Sequence, residues 1–158
     1  MDSRRRATLT FLGLAALALA HALVTWPLER VVVLFGGGAA VAFVAEAVVI
    51  RLGLLEHHTA PRVAGVPLAV VAVWPGVVYV GYRIALLVVD PGVPAAALAA
   101  VVATLWDLLT DPNGVDALWS YPPASLSEPR FRGVPWWNFV GWLLVVFVTA
   151  MLPTLFGV

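Results

Sequence analysis

The chain has 158 residues, of which 62% are hydrophobic and 11% charged, and its formal net charge is zero. Soluble domains carry about a quarter charged residues, so an integral membrane protein is expected. A nucleic-acid partner, which requires a basic surface, is not expected. The absence of cysteine excludes disulfides, thiolate nucleophiles and iron–sulfur ligation.

A membrane-crossing helix needs about 20 mostly apolar residues. Five stretches qualify: 7–24, 31–50, 68–89, 93–110 and 137–156. The fourth is the shortest and carries Asp107. The expected fold is all-α, a polytopic bundle of five transmembrane helices. No repeat and no low-complexity linker are expected, so the chain reads as one integral domain over 1–158. All nine basic residues are arginines. With the N-terminus in the cytoplasm, Arg4, Arg5, Arg6, Arg51, Arg62, Arg130 and Arg132 lie inside, Arg30 lies outside, and Arg83 falls within the third span. Seven against one fits the positive-inside rule, so a cytoplasmic N-terminus, a long cytoplasmic loop over 111–136 and a cell-membrane location are expected. The first stretch also resembles a secretory signal, with adjacent arginines and a small-residue Ala18-Leu19-Ala20. Four further spans already anchor the chain, so an uncleaved helix is expected.

Ionisable groups inside the hydrocarbon cost at least ~2.5–3.5 kcal/mol each on insertion scales, so each needs a reason. Glu46 lies about one turn from the inner end of the second helix. Gly38, Ala42 and Ala45 fall on its side, and small residues let helices approach closely. Glu46 is therefore expected to face the bundle interior, as a catalytic group or as a hydrogen-bonded packing residue. Asp107 and Asp111, at i and i+4, share one face of the fourth helix. That helix should stop near Pro112, because the residue before a proline avoids the α region. Asp111 is then either part of the site or the opening of the Asp-Pro-Asn-Gly turn.

Other polar residues read as structural. Arg83 is expected to pair with Asp90 or Glu29. His21 is expected to be a hydrogen-bonded packing residue. His57 and His58 are adjacent, with no further ligands at zinc spacing, so no metal is expected there. Pro75 interrupts the third helix beside Trp74 and should free a carbonyl in a cavity-lining position. Trp119 and Trp136 suit an interfacial aromatic belt, whereas Trp74, Trp106 and Trp142 lie further along spans and are candidates for a pocket. The segment "LWSYPP" in the long loop would suit a lid on the headgroup surface.

Taken in order, Glu46, "GVPLAVVAVW" at 65–74, "WDLLTDP" at 106–112, "LWSY" at 118–121 and "RGVPWWNFVGW" at 132–142 form a pattern. It resembles the family of carotenoid-biosynthesis membrane proteins that includes bisanhydrobacterioruberin hydratase and similar carotenoid 1,2-hydratases. The likeness covers about residues 43–145. The stretch "GLLEHHTAPRVA" is shorter than its counterpart in the family and lacks its tyrosines, and Trp119-Ser120-Tyr121 stands where the family has Trp-x-Trp. The resemblance implies carotenoid biosynthesis, with a lipophilic polyene substrate in the bilayer, other carotenoid-pathway membrane enzymes as partners, and no cofactor. The reaction it implies is acid-catalysed hydration of a terminal C=C in an acyclic carotenoid.

The residues suit that chemistry. A carboxylic acid protonates an alkene only if it stays protonated near neutral pH, which burial and a second carboxylate both favour; Glu46 and Asp107 are the candidates. Aromatic faces stabilise the resulting cation, with Trp74, Trp106 and Trp142 available. Asp111 is the candidate base for the attacking water. Asn138 and Trp137, matched to the family motif, would bind that water or the new hydroxyl. Three alternatives remain open: a cyclase or isomerase using the same acid, a prenyltransferase (weakened by the lack of a second acidic motif), and a non-catalytic carotenoid-binding or scaffold protein.

Overall fold

The computed structural model describes residues 3–122 and 128–158. Residues 123–127, in the middle of the loop expected over 111–136, lie outside the described residues, as does Pro123 at the end of "LWSYPP". Five long helices make up most of the described residues: α1 (Ser3–Thr25), α2 (Leu28–Arg51), α3 (Leu68–Ala85), α4 (Val93–Thr110) and α5 (Trp136–Leu155). Each is long and apolar enough to cross a bilayer. A π-helical segment, Val32–Gly36, interrupts α2 just before Gly37 and Gly38. Helix α3 ends at Ala85 rather than at 89. Leu86 to Val89 fold into turns bonded back to Tyr82, Ile84 and Ala85, because Pro91 keeps Asp90 out of the α region and the chain must reverse there.

Small residues set the packing. Ala95, Ala96, Ala99, Ala100 and Ala103 form a buried face on α4 against α3 and α5, the mode by which helices associate in a medium as apolar as their side chains. A Cβ on Gly81 of α3 would stand 3.1 Å from the Ala99 carbonyl oxygen, and one on Gly76 would stand 3.1 Å from the Ala15 Cα of α1. Helix α3 is thus the central strut, with α1 against one side, α4 against another, and α2 and α5 completing the bundle.

One expectation is corrected. The chain does contain an internal repeat. Pro61-Arg62-Val63-Ala64-Gly65-Val66-Pro67 precedes α3, and Pro129-Arg130-Phe131-Arg132-Gly133-Val134-Pro135 precedes α5. Each forms an antiparallel hairpin: β2 (Arg62–Val63) pairs with β3 (Val66–Pro67), and β5 (Arg130–Phe131) with β6 (Val134–Pro135). The two-residue turns have φ of 50° and 84° at Ala64 and Gly65, and 50° and 92° at Arg132 and Gly133. Two successive left-handed residues make the turn that matches strand twist. In each copy the first helical N–H, of Leu68 or Trp136, donates to the carbonyl of the leading proline, Pro61 or Pro129, at 3.0 and 3.2 Å. The register continues into the helices, from Pro67 to Trp74 and from Pro135 to Trp142. The repeat is only a few residues long and its copies lie far apart, so hydropathy alone does not reveal it.

The two halves meet through β1 (Glu56–His57), after α2, and β4 (Trp119–Ser120), after α4, which pair antiparallel. The C-terminal ends of α2 and α4 and the N-terminal ends of α3 and α5 therefore gather at one end of the bundle.

Candidate active site

Helix α2 delivers Glu46 on the buried face it shares with Gly38 and Ala42. A Cβ on Gly38 would lie 2.8 Å from the Thr149 methyl of α5, so the glycine lets the two helices pack closely two turns deeper in the bundle. The Glu46 side chain is 3% exposed, and its Oε2 lies 2.9 Å from Nε2 of His57. His57 gets there by strand alternation: Leu55 and His57 point inward while Glu56 and His58 point outward. Pairing with β4 holds it in place. His57 lies opposite Trp119, and the His58 N–H donates to the Leu118 carbonyl at 2.8 Å.

Helix α4 contributes Asp107, in line with buried Ala99 and Ala103 and 5% exposed. Its Oδ2 has no hydrogen-bond partner among the described residues. Asp111 follows where α4 gives way to a short 3₁₀ turn, Asp111–Asn113. The Asn138 Nδ2 of α5 donates to Asp111 Oδ2 at 3.0 Å. Asp111 is an electrostatic neighbour of Asp107, of Glu46 and of His57. Tyr121, from the loop beyond β4, is buried against the same charges. Burial pushes its phenol well above the ordinary tyrosine range, and the Asp111, Glu46 and Asp107 carboxylates push it further, with only Arg130 acting the other way. It is a neutral hydroxyl.

These side chains surround one cavity of about 320 Å³. Glu46, His57, Asp107, Asp111, Tyr121 and Asn138 supply its polar wall, and Trp74, Trp106, Trp119 and Trp142 its aromatic wall. Trp74 and Trp142, the repeat-equivalent pair, stack with ring centroids 3.6 Å apart and planes inclined by 40°. Four buried polar atoms on lining residues lack a partner among the described residues: Asp107 Oδ2, His57 Nδ1, Trp74 Nε1 and Trp119 Nε1. Native proteins leave few buried polar atoms unpaired, and four of those found here belong to residues of this one cavity.

The family model for carotenoid biosynthesis proteins matches residues 6–157. The chain belongs to the carotenoid biosynthesis protein family. No curated protein and no solved structure matches it. A lipophilic carotenoid substrate suits a carotenoid biosynthesis protein built as a membrane bundle with an aromatic-walled cavity.

Seven of the eight residues singled out from the sequence of this carotenoid biosynthesis protein line the cavity: Glu46, Asp107, Asp111, Trp74, Trp106, Asn138 and Trp142. Trp106 sits at its rim, 46% exposed. Trp137 is not in the lining. Its indole N–H donates to Glu128 Oε1 at 2.9 Å, and its ring packs edge-on to Tyr121. Consecutive helical residues are about 100° apart, so Asn138 facing Asp111 turns Trp137 away. Arg83 pairs with neither Asp90 nor Glu29; it donates to the Thr25 hydroxyl at 3.1 Å and to the Tyr79 hydroxyl at 3.4 Å. His21 does make a packing hydrogen bond, to the Tyr79 hydroxyl at 2.7 Å. Sequence reasoning missed His57 and Tyr121. The available signal for His57 was the alternation Leu55-Glu56-His57-His58, which puts only one of the adjacent histidines inside.

Proposed function

We propose that this carotenoid biosynthesis protein adds water across a terminal C=C of an acyclic carotenoid. The observation that carries the reading is one cavity lined by three carboxyl groups, a histidine and a tryptophan wall, with four unpartnered polar atoms on its lining residues. Leaving a buried polar group unsatisfied costs about 1–3 kcal/mol, and a small polar co-substrate relieves that cost.

Asp107 is the proton donor: it lies one turn deeper along α4 than Asp111 and carries an oxygen with no partner among the described residues. Its proton passes to the terminal alkene carbon and leaves a tertiary carbocation on the neighbouring carbon. The free outer face of one ring of the Trp74–Trp142 stack stabilises that cation through its quadrupole. A water that donates to the His57 Nδ1 and accepts from one tryptophan N–H attacks it through its remaining lone pair. The proton this water loses is taken up by the Glu46–His57 pair, and transfer by way of Asp111 restores Asp107. Asn138 keeps the Asp111 carboxylate oriented for that return. Positioned proton transfer of this kind contributes about 10²–10⁴-fold. A cyclase or isomerase would share the acid and the cation but has no use for donors that hold water.

The positive-inside pattern supports a cytoplasmic location for this end, since Arg51, Arg62, Arg130 and Arg132 cluster at it. Water then arrives from the cytoplasm and the polyene from the bilayer.

The test is co-expression in hosts that make acyclic carotenoids, with mass analysis of the pigments for wild type, Asp107→Asn and Glu46→Gln. Wild type should yield pigments heavier by one water, and both variants should lose them. An isomeric product of unchanged mass would favour cyclisation. Pigment that is bound but unaltered in all three strains would favour a scaffold.

A further inference from the structure

The cavity does not stand alone. Phe11, Val73, Val77 and Trp106 line it and also line a second hollow of about 860 Å³. This hollow is a groove. Its floor is α3, including Val80 and Ile84, and its sides are α1 and α4, including Leu14 and Val102. It follows α3 from Val73 to Ile84, about 16 Å at the helical rise per residue. Its far end lies at His21, Tyr79 and Arg83, which are linked by hydrogen bonds. Gly76 and Gly81 seat α1 and α4 directly on the α3 backbone, which keeps the floor between them shallow and smooth.

Size separates the roles of the two spaces. Taking about 30 Å³ per heavy atom, the share of a molecule of liquid water, the cavity has room for roughly ten atoms, enough for one chain terminus. On the same measure the groove has room for roughly thirty more. A long, stiff, apolar chain whose end reaches the carboxyls has, among the described residues, a continuation along the groove past Trp106.

We propose that the groove between α1 and α4 holds the body of the polyene and admits it sideways from the bilayer, with Trp106 at the junction. This rests on the hydration reading for what happens at the reacting end, but the groove itself is defined by shape and lining.

Tryptophan substitutions test it. Val80→Trp and Val102→Trp fill the groove at two independent points away from the acid cavity, whereas Val101→Trp, on an exposed part of α4 that lines neither space, is the control. Each is expressed with a full-length acyclic carotenoid and with a shortened polyene bearing the same end group. Pigment retained per protein after detergent exchange is measured alongside product mass. Both groove variants should lose conversion and retention of the full-length pigment at least tenfold, keep those of the short one, and differ in this from Val101→Trp. Conversion and retention of the long pigment equal to wild type in both variants would overturn the proposal. So would equal loss of long and short pigments, and so would retention of phospholipid acyl chains alone. If wild type retains the long pigment without hydrating it and the groove variants do not retain it, the groove stands and the hydration reading falls.

Discussion

Glu46 and His57 meet at 2.9 Å inside the bundle, one carried by a membrane-spanning helix and the other by a two-residue strand, both almost fully buried. The strand is held by its partner β4, which comes from the other half of the chain. The contact thus couples the closing of two loops to the state of one carboxyl group. Removing one member of a buried hydrogen bond leaves the other unsatisfied, at about 1–3 kcal/mol. His57→Leu should therefore lower stability by about that much, while His57→Gln, which keeps a donor, should lose clearly less. Denaturation in mixed micelles measures both, and equal midpoints for the two variants would show that the hydrogen bond contributes nothing.

Neighbouring residues Trp137 and Asn138 should behave oppositely. Asn138 donates to Asp111, and a hydrogen bond to a charged group contributes about 1.5–3 kcal/mol. Asn138→Leu should lower conversion by roughly ten- to a hundredfold with pigment binding retained. Trp137→Phe removes an indole N–H that serves Glu128, outside the cavity, and should stay within about twofold of wild type. Product yield per protein, compared across the two strains, decides it.

The repeated hairpins give a graded pair of substitutions. Gly65 and Gly133 both have left-handed φ, at 84° and 92°, where a side chain costs about 1–2 kcal/mol. At Gly65 the new Cβ would also stand 2.9 Å from the Ile50 Cγ2, against 3.4 Å from the Val115 Cγ1 at Gly133. Gly65→Ala should destabilise more than Gly133→Ala, and both more than Gly53→Ala, whose φ is 72° but whose Cβ would meet nothing within 4 Å. Thermal denaturation of the three variants tests that order.

Much of this was legible in the sequence, for physical reasons that particular residues show. The spans follow from hydropathy because lipid demands it along the whole helix length. The face bearing Glu46 follows from small residues at helical spacing, since Gly38 and Ala42 leave room for close approach, and the face shared by Asp107 and Asp111 follows from their i, i+4 spacing. What local pattern did not carry was the pairing between loops. His57 reaches Glu46 only because β1 finds β4, far along the chain, and no local periodicity encodes that meeting. Trp137 misled for the complementary reason: it adjoins Asn138 in a motif, yet adjacency along a helix separates side chains. Arg83 finds hydroxyls where a carboxylate partner was expected, because Thr25 of α1 and Tyr79, one turn back on α3, lie within its reach.

Tyr121 supplies a pH signature outside the spans. Burial and the carboxylates of Asp111, Glu46 and Asp107 hold its phenol above the ordinary value, with Arg130 a smaller opposing influence. In the unfolded chain the phenol ionises near its usual pKa of about 10, while in the folded protein it stays protonated. Above that pH the unfolded state binds fewer protons than the folded one, so stability falls as pH rises. The stabilisation is complete below about pH 10 and is lost progressively above it, by at most about 1.4 kcal/mol for each further pH unit. Tyr121→Phe should leave stability at pH 8 changed only by the lost hydroxyl and should flatten the decline between pH 10 and 11.5. Parallel stability–pH curves for wild type and variant over that range would mean that the phenol ionises as freely in the folded protein as in water, and that the carboxyl cluster does not surround it.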